Sequence, residues 1–502
     1  MTDGRGAEQL GGGAWRWALL LAGAITAVRV AAVFLTPLEL YPDEAQYWLW
    51  STQPAWGYAS KPPMIAWLIA ASTAIGGDGE AWVRLPAPLV HGAAAMVLFE
   101  TGRRLYGGKA GLLACALWLL MPAVALSSLV IATDAPLLLF WSLALVAYVR
   151  LWRAPGRGAA ALLGAALGLA FLSKQAALYF PLGLLLHAAI DAQARRAWRG
   201  WRWAAGLTAF LLVISPNLVW QAGHGFATVA HTAEVNAGAG EALSLRPLGP
   251  PEFLLSQIGV FGPFPFFVLI TGAFLLWRSR KMGEEGRLLL CLAAPPLAMI
   301  TAFSLFREVE ANWASAAFPS AVVAVGAWLT PRSARRWRLG AVIMQGLASA
   351  ALVAVAIAPQ LADAAGGGNA LKRLRGWGAT AQTVAQVARA NAPVTAVVVE
   401  DRSLFNELAY YGRGLFTAPG APPLRIRGSK GRALNQAQLA APLQAMEAGR
   451  VLAVVIPSPK EPSVLPSRFR RVQRLGETRV RLDPKRERPL AFYLGDGLVS
   501  SR

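Results

Sequence analysis

The sequence predicts an all-α polytopic membrane protein of about 11 transmembrane helices, followed by a small C-terminal α/β extracytoplasmic domain. Three observations predict it. Of 502 residues, 55% are hydrophobic and only 15% are charged, a balance foreign to soluble globular chains. Apolar runs near the roughly 20 residues that a bilayer crossing requires recur through the first 360 positions. Beyond them the texture changes to short apolar runs bounded by Gly, Pro and Arg.

The candidate spans are 14–36, 84–102, 109–131, 134–152, 158–173, 175–190, 203–222, 253–277, 288–306, 314–330 and 339–360. The first dozen residues are polar and Gly-rich with no cleavage-site pattern, so 14–36 reads as a retained helix and not as a removed signal peptide. The loops between spans fall into two strictly alternating classes. One is basic: Arg103-Arg104, Arg150 to Arg157, Arg195-Arg196 with Arg199 and Arg202, Arg278 to Lys281, and Arg332 to Arg338. The positive-inside rule places these in the cytoplasm. The other holds Asp43-Glu44, Lys61, Asp134, Ser173-Lys174, residues 223–250, and Arg307 to Trp313. Side chains with possible chemistry collect on that second side, which predicts one catalytic face looking away from the cytoplasm.

Eleven spans put the N-terminus inside and the C-terminus outside. The tail is basic, but long domains translocate largely regardless of charge. The expected division is a membrane domain over 1–361 and an outer domain over 362–502, with glycines 366–368 as linker. Within the tail, Leu374 to Asn391 reads as a helix, and Val394 to Glu400, Val451 to Pro457 and Leu490 to Leu494 read as strands. No internal repeat is visible. The net charge of +21 would suggest nucleic acid in a soluble chain. Here the basic residues lie mainly in short loops or the tail, where orientation and anionic lipid account for them. Cys115 and Cys291 both sit in apolar runs, which excludes a disulfide framework or a zinc-type cysteine cluster.

The chemistry concentrates in residues 41–63. Pro42 suits the first position of a helix and puts Asp43 and Glu44 in its first turn, where the positive end of the helix dipole favours carboxylates. They either cap this helix or serve a site. Lys61 precedes Pro62-Pro63 and the run Met64-Ile-Ala-Trp-Leu-Ile-Ala-Ala, so a helix begins there. A cation beside free helix N–H groups makes sense if an anion, phosphate above all, lies between them. The alternative is a lysine snorkelling to the headgroups. Asp134, after Thr133, either caps the next helix or joins Asp43. Two carboxylates facing a phosphate-binding lysine suit transfer of a sugar from a phosphate leaving group.

The run Asp43-Glu-Ala-Gln-Tyr-Trp, Lys61-Pro-Pro, Trp82-Val-Arg84-Leu-Pro, the Gly102-Arg-Arg-Leu-Tyr-Gly turn and Thr133-Asp134-Ala-Pro resemble the bacterial glycosyltransferase family 39-type proteins. These belong with the dolichyl-phosphate-mannose–protein mannosyltransferases, the lipid A aminoarabinose transferases and the lipopolysaccharide galacturonic acid transferases. Ser215-Pro-Asn-Leu-Val-Trp220, His231-Thr-Ala-Glu and Glu310-Ala-Asn312-Trp313 extend the similarity, which covers about 15–330 well and the tail loosely.

The resemblance implies a GT-C-type fold, a polyprenyl-phosphate sugar donor, inversion at the anomeric carbon, and a site facing the periplasm from the inner membrane. The acceptor it implies is lipid A or lipopolysaccharide, another glycolipid, or a protein. By position, Asp43 is similar to the catalytic carboxylate, supported by Glu44, and Asp134 matches the second acidic position. Lys61 resembles the donor-phosphate lysine. Arg84 assists the phosphate or anchors a helix start, and Lys174 lines the phosphate path or snorkels. His231, Glu310, Asn312 and Trp313 are substrate-binding candidates, as is Tyr58, one of the aromatic residues with Trp48, Trp50 and Trp56 that could shape a donor pocket. A divalent metal has poor support: His224 and His231 are seven apart in a Gly-rich loop, with Glu234 beyond. Arg29, inside the first span, could pair with a carboxylate, and its role is open. The rival readings are a lipid-phosphate transporter without transfer chemistry and a structural membrane subunit.

Overall fold

The computed structural model describes residues 4–231, 244–428, 433, 435–444, 447, 449–458 and 463–499, with side chains from residue 13 onward. A helical bundle occupies the first three quarters of the chain. Six of its described helices are long and apolar enough to cross a membrane: Gly13–Leu35, Glu80–Tyr106, Asp134–Arg153, Arg202–Gly223, Glu284–Ser304 and Arg332–Ile357. A seventh crossing arises if the bent pair Gly249–Phe261 and Pro263–Arg278 counts as one.

Several expected spans are broken, each at a proline or glycine. The run 109–131 is Gly108–Leu120 followed by Pro122–Ser127, because Pro122 cannot continue the first helix. The run 253–277 bends by 119° at Gly262, whose φ of +92° suits glycine and few other residues. The run 314–330 divides into a 3-10 segment, Ala311–Ala317, and a short helix, Phe318–Trp328. Helices cross closely where small residues meet. A Cβ on Gly164 would lie 1.9 Å from the carbonyl oxygen of Gly206, so Arg157–Ser173 and Arg202–Gly223 touch backbone to backbone there.

Arg29 finds no carboxylate. Its guanidinium donates to Ser128 Oγ (3.1 Å), Ser349 Oγ (3.4 Å) and, at short range, the Leu119 carbonyl. It ties the first span to the break at 120–128 and to the last span.

At one end of the bundle, Arg153 joins Glu285 (3.1 Å) and the Arg104 carbonyl, so three of the basic loops meet. At the other end lie the segment 36–63, the starts of the helices at Met64 and Asp134, Lys174, and residues 311–315. The C-terminal domain, the one expected to lie outside, seats on this second end. Its five-stranded sheet runs β2-β1-β3-β5-β4, with β1 Ala396–Val399, β2 Leu424–Ile426, β3 Arg450–Val455, β4 Phe469–Asp483 and β5 Arg486–Leu498. β1 pairs in parallel with β2 and β3, and β5 pairs antiparallel with β3 and β4.

Three expected strands and one helix (Trp377–Ala390) are present. β2, β4 and the helix Arg402–Tyr411 were not anticipated. β4 carries five arginines, and most of its residues are exposed, so it lacks the half-buried alternation that marks a strand. Glycines 366–368 are not a slack tether, since a Cβ on Gly368 would collide with the Asp363 carboxylate and the Arg486 guanidinium.

The outer domain is fastened to the bundle through named contacts. Glu39 accepts from the N–H groups of Trp377 (2.5 Å) and Gly378 (2.9 Å), a carboxylate at a helix N-terminus. Leu40 N–H donates to the Tyr411 hydroxyl (2.6 Å), which in turn donates to Glu80. Tyr410 donates to the Asp78 carbonyl (2.6 Å) and meets Trp48 edge to face at 4.8 Å.

Behind this seam Glu407 is fully buried, and among the described residues neither carboxyl oxygen has a hydrogen-bond partner. Burial, then the Glu39 carboxylate, push it well above the usual carboxylate range. A folded-state value above the unfolded one means its stabilising contribution is complete at low pH and lost as pH rises through the folded value. Glu407→Gln is therefore expected to flatten the fall in Tm as pH rises above the ordinary glutamate value of about 4.3, read by thermal melts of the detergent-purified protein.

Candidate functional site

The helix Pro42–Ser51 is only ten residues long, yet eight of its side chains are buried, because bundle and outer domain enclose it. Glu44 starts it: its Oε2 accepts from the Tyr41 N–H (2.8 Å). The same carboxylate receives Arg84, with Nη2 at 2.8 Å and Nε at 3.0 Å, and the Ile131 N–H at 2.9 Å. Arg84 also donates to the carbonyls of Leu38 (2.8 Å) and Glu39 (2.6 Å). Both residues are essentially inaccessible to solvent. They form a closed buried pair that holds the helix start, and neither presents a free group to a ligand.

Asp43, one residue earlier, points outward. Its carboxylate is 41% exposed, and Oδ1 accepts from Arg402 Nη2 at 3.1 Å. Asp134 is the opposite case, buried at the first residue of its helix and making no capping bond. Oδ1 accepts from Lys174 Nζ (2.9 Å) and Ser315 Oγ (2.8 Å). Oδ2 accepts from Lys174 Nζ (3.0 Å) and Asn312 Nδ2 (3.2 Å). A carboxylate has about four lone-pair sites, and here all are engaged, so Asp134 fixes its neighbours and has no site left for a proton.

Lys61 is the free cation of the group. Among the described residues no hydrogen bond or ion pair reaches its ammonium, which is half-buried before the helix Met64–Gly76. Burial, then the Lys174 ammonium, press it below the usual lysine range, while Asp134 and Asp43 act the other way. Those same neighbours show that Lys61, Lys174, Asp134 and Asp43 share one electrostatic environment. Tyr47 lies among them, 4% exposed. Burial, then the Asp43 carboxylate, hold its phenol well above the usual range, so it remains a donor.

A cavity of about 520 Å³ adjoins the cluster. Its polar end is Asp134, Asn312, Ser315 and Glu310; the remainder is mainly apolar, with Trp118, Val260 and Leu352 in its wall. Lys61 and Asp43 stand outside this lining. Glu310 is exposed and also lines a neighbouring polar cleft of about 380 Å³ with Trp313, Arg246 and Glu308.

Other expected residues do different work. Tyr58 is 3% exposed and stacks on Trp50 at 4.6 Å, while its hydroxyl donates to the Trp50 carbonyl (2.9 Å) and accepts from the Ala55 N–H (3.1 Å). It staples the loop. Trp48 donates to Asp78 (2.8 Å) in the seam with the C-terminal domain. The loop is held from the far side by Asn217 Nδ2 on the Trp56 carbonyl (2.6 Å) and Thr228 Oγ1 on the Tyr58 carbonyl (2.7 Å).

His224 stacks on Trp220 at 4.0 Å, with Nδ1 against that residue's carbonyl. His231 is half-buried near the end of the described segment, and Glu234 lies outside the described residues. Among the described residues no group of three or more His, Cys, Asp or Glu is placed to hold a metal. Sequence reasoning missed Ser315, Tyr47 and Arg402. Only Tyr47 had a signal, its place within the Asp43 motif.

With this geometry in view, the comparisons with known proteins are specific. A family profile described as dolichyl-phosphate-mannose-protein mannosyltransferase matches residues 60–220. The chain is 33% identical over 399 residues to the lipid A galacturonosyltransferase RgtD of Rhizobium johnstonii, covering 79% of this chain and 82% of that one. It is 27% identical over 308 residues to the lipopolysaccharide core galacturonosyltransferase RgtA of the same organism, covering 59% and 60%. The crystal structure of ArnT from Cupriavidus metallidurans bound to undecaprenyl phosphate superposes with a TM-score of 0.66 at 17% identity, over 95% of this chain and 98% of that one. At that identity the likeness is one of fold.

Proposed function

The chain belongs to the GT-C-type bacterial glycosyltransferases of the family 39 kind, and from that premise we propose that it transfers galacturonic acid from a polyprenyl-phosphate donor to lipid A or lipopolysaccharide, at the periplasmic face of the inner membrane. In this reading residues 1–361 form the membrane domain, with eleven passages that include the shorter apolar helices, and 362–502 lie outside. The observation that carries the reading is the meeting of Asp43, Lys61, Asp134 and Lys174 at one end of the bundle, beside an apolar cavity suited to a lipid chain. The galacturonosyl donor is the sugar named for both relatives.

The step follows from these groups. An acceptor hydroxyl oxygen attacks the anomeric carbon from the face opposite the phosphate, and its proton passes to the Asp43 carboxylate. The bond from that carbon to the phosphate oxygen breaks, and polyprenyl phosphate departs with the electron pair. Attack opposite the leaving group inverts the centre. Lys61, without a hydrogen bond or ion pair among the described residues, neutralises the departing phosphate. Lys174 is held by Asp134 and orients the donor, and the Tyr47 phenol supplies a further hydrogen bond. Glu44 and Arg84 keep the helix bearing Asp43 in place.

The test is reconstitution of the purified protein in vesicles with polyprenyl-phosphate galacturonic acid and lipid A. Mass spectrometry should show lipid A gaining one uronosyl residue as free polyprenyl phosphate accumulates. Folded protein that consumes no donor would refute the reading, and preference for a neutral sugar would correct the substrate.

Lys61 also predicts a pH profile. Only its protonated form attracts the phosphate, and its folded-state value is depressed below the ordinary lysine value of about 10.4. kcat/KM for the donor is expected to fall as pH rises through that depressed value. Lys61→Arg, charged throughout, should remove this alkaline limb while retaining measurable transfer.

A further inference from the structure

We infer that Arg402 of the outer domain is a positioning residue for Asp43, so that the tail completes the active site. This rests on the reading above that Asp43 receives the acceptor's proton.

Arg402 opens the helix Arg402–Tyr411, whose start is fixed by Asp401: its Oδ1 accepts from the Leu404 N–H at 2.8 Å. The other end of that helix is pinned to the bundle by Tyr410 on the Asp78 carbonyl and by the Leu40 N–H on Tyr411. With both ends held, the guanidinium reaches the helix Pro42–Ser51 at a set point. Nη2 donates to Asp43 Oδ1 and Nη1 donates to Gln46 Oε1, both at 3.1 Å. Asn406, one turn further along, adds a bond of 3.4 Å to the same Gln46 oxygen.

Asp43 and Gln46 are three residues apart and so lie on one helix face. A planar fork that bonds both fixes the rotation of the Asp43 carboxylate, which a lysine's point charge cannot do. Oδ1 is thereby engaged, while among the described residues no donor reaches Oδ2, leaving it for the acceptor hydroxyl. Arg402 also stands in the electrostatic surroundings of Lys61 and Tyr47, so its charge belongs to the site.

The alternative is a tether that merely binds the domains. Exposure speaks against it. The two partners are 37% and 41% exposed, and pairs so open to water contribute little to stability. The seam already has the part-buried contacts of Tyr410, Tyr411 and Glu39.

The experiment compares Arg402→Gln, Arg402→Lys, Asp43→Asn and the double variant Arg402→Gln/Asp43→Asn in the full-length enzyme. Arg389→Gln, at an exposed position of the helix Trp377–Ala390, serves as a charge control in the same domain. Arg402→Gln is expected to lower kcat roughly tenfold to a hundredfold, as misplacement of a reacting group does, with KM and Tm near wild type. Arg402→Lys should recover part of the loss, and Arg402→Gln should cost nothing further once Asp43 is Asn. Unchanged kcat in Arg402→Gln, or a loss that follows Tm or persists in full in the Asp43→Asn background, overturns the inference. Wild-type turnover in Asp43→Asn would instead overturn the underlying role of Asp43.

Discussion

Replacing Asp43 with asparagine is expected to lower transfer turnover by about two to four orders of magnitude, the range associated with loss of a positioned general base, while leaving Tm near the wild-type value. The carboxylate is half-exposed, and its partner among the described residues is the solvent-accessible Arg402, so little folding energy is at stake. The amide keeps the shape and a carbonyl oxygen for the guanidinium but cannot accept the acceptor's proton. Donor binding should survive, so the loss falls on kcat and not on KM for the donor. The readout is release of polyprenyl phosphate under saturating donor and acceptor. Turnover within a few-fold of wild type would remove Asp43 from the chemistry and shift attention to Glu310, the exposed carboxylate shared by the two neighbouring cavities.

The second large effect is on folding. Glu44→Ala or Arg84→Ala leaves its partner charged and unpaired in a site that is about 1% exposed or less. Breaking a buried pair by removing one member costs about 3–5 kcal/mol, a large part of the roughly 5–15 kcal/mol that holds a domain together. Each single variant should therefore express poorly and melt far below wild type in detergent. Replacing both, as Glu44→Leu with Arg84→Met, should recover part of the loss, because no orphan charge remains. Any folded fraction should retain most of its turnover. This separates Glu44 from Asp43, two adjacent carboxylates with opposite jobs. Low turnover in a well-folded Glu44 variant would return Glu44 to the catalytic group.

What the sequence could express about this protein was set by the range of the physics involved. The sorting of Asp43, Lys61 and Asp134 away from the basic loops was legible because loop charge and span length are local properties. The adjacency of Asp43 and Glu44 was legible as well, but their division of labour was not. It depends on Arg84, forty positions away, arriving at one carboxylate and leaving the other free. Tyr58 looked like a ligand-facing aromatic residue because aromatic residues near a site are common. Its stacking on Trp50 is decided by how the loop turns. The arginine-rich strand β4 escaped because its partners are supplied by β5 and not by a periodic apolar face of its own. Arg402 lay in a region that read as a separate domain, and only its contact with the entry helix shows otherwise.

The fastening of Glu39 and Leu40 to the tail sets an order of events during synthesis. Their partners lie 338 and 371 residues later in the chain. At ribosomal rates of about 5–20 residues per second, the early segment waits on the order of 20–70 s for them. Through that interval the nascent polypeptide inserts its helices with the end of the bundle around Pro42–Ser51 still uncovered. That end is thus completed last, by the arrival of residues 377–411.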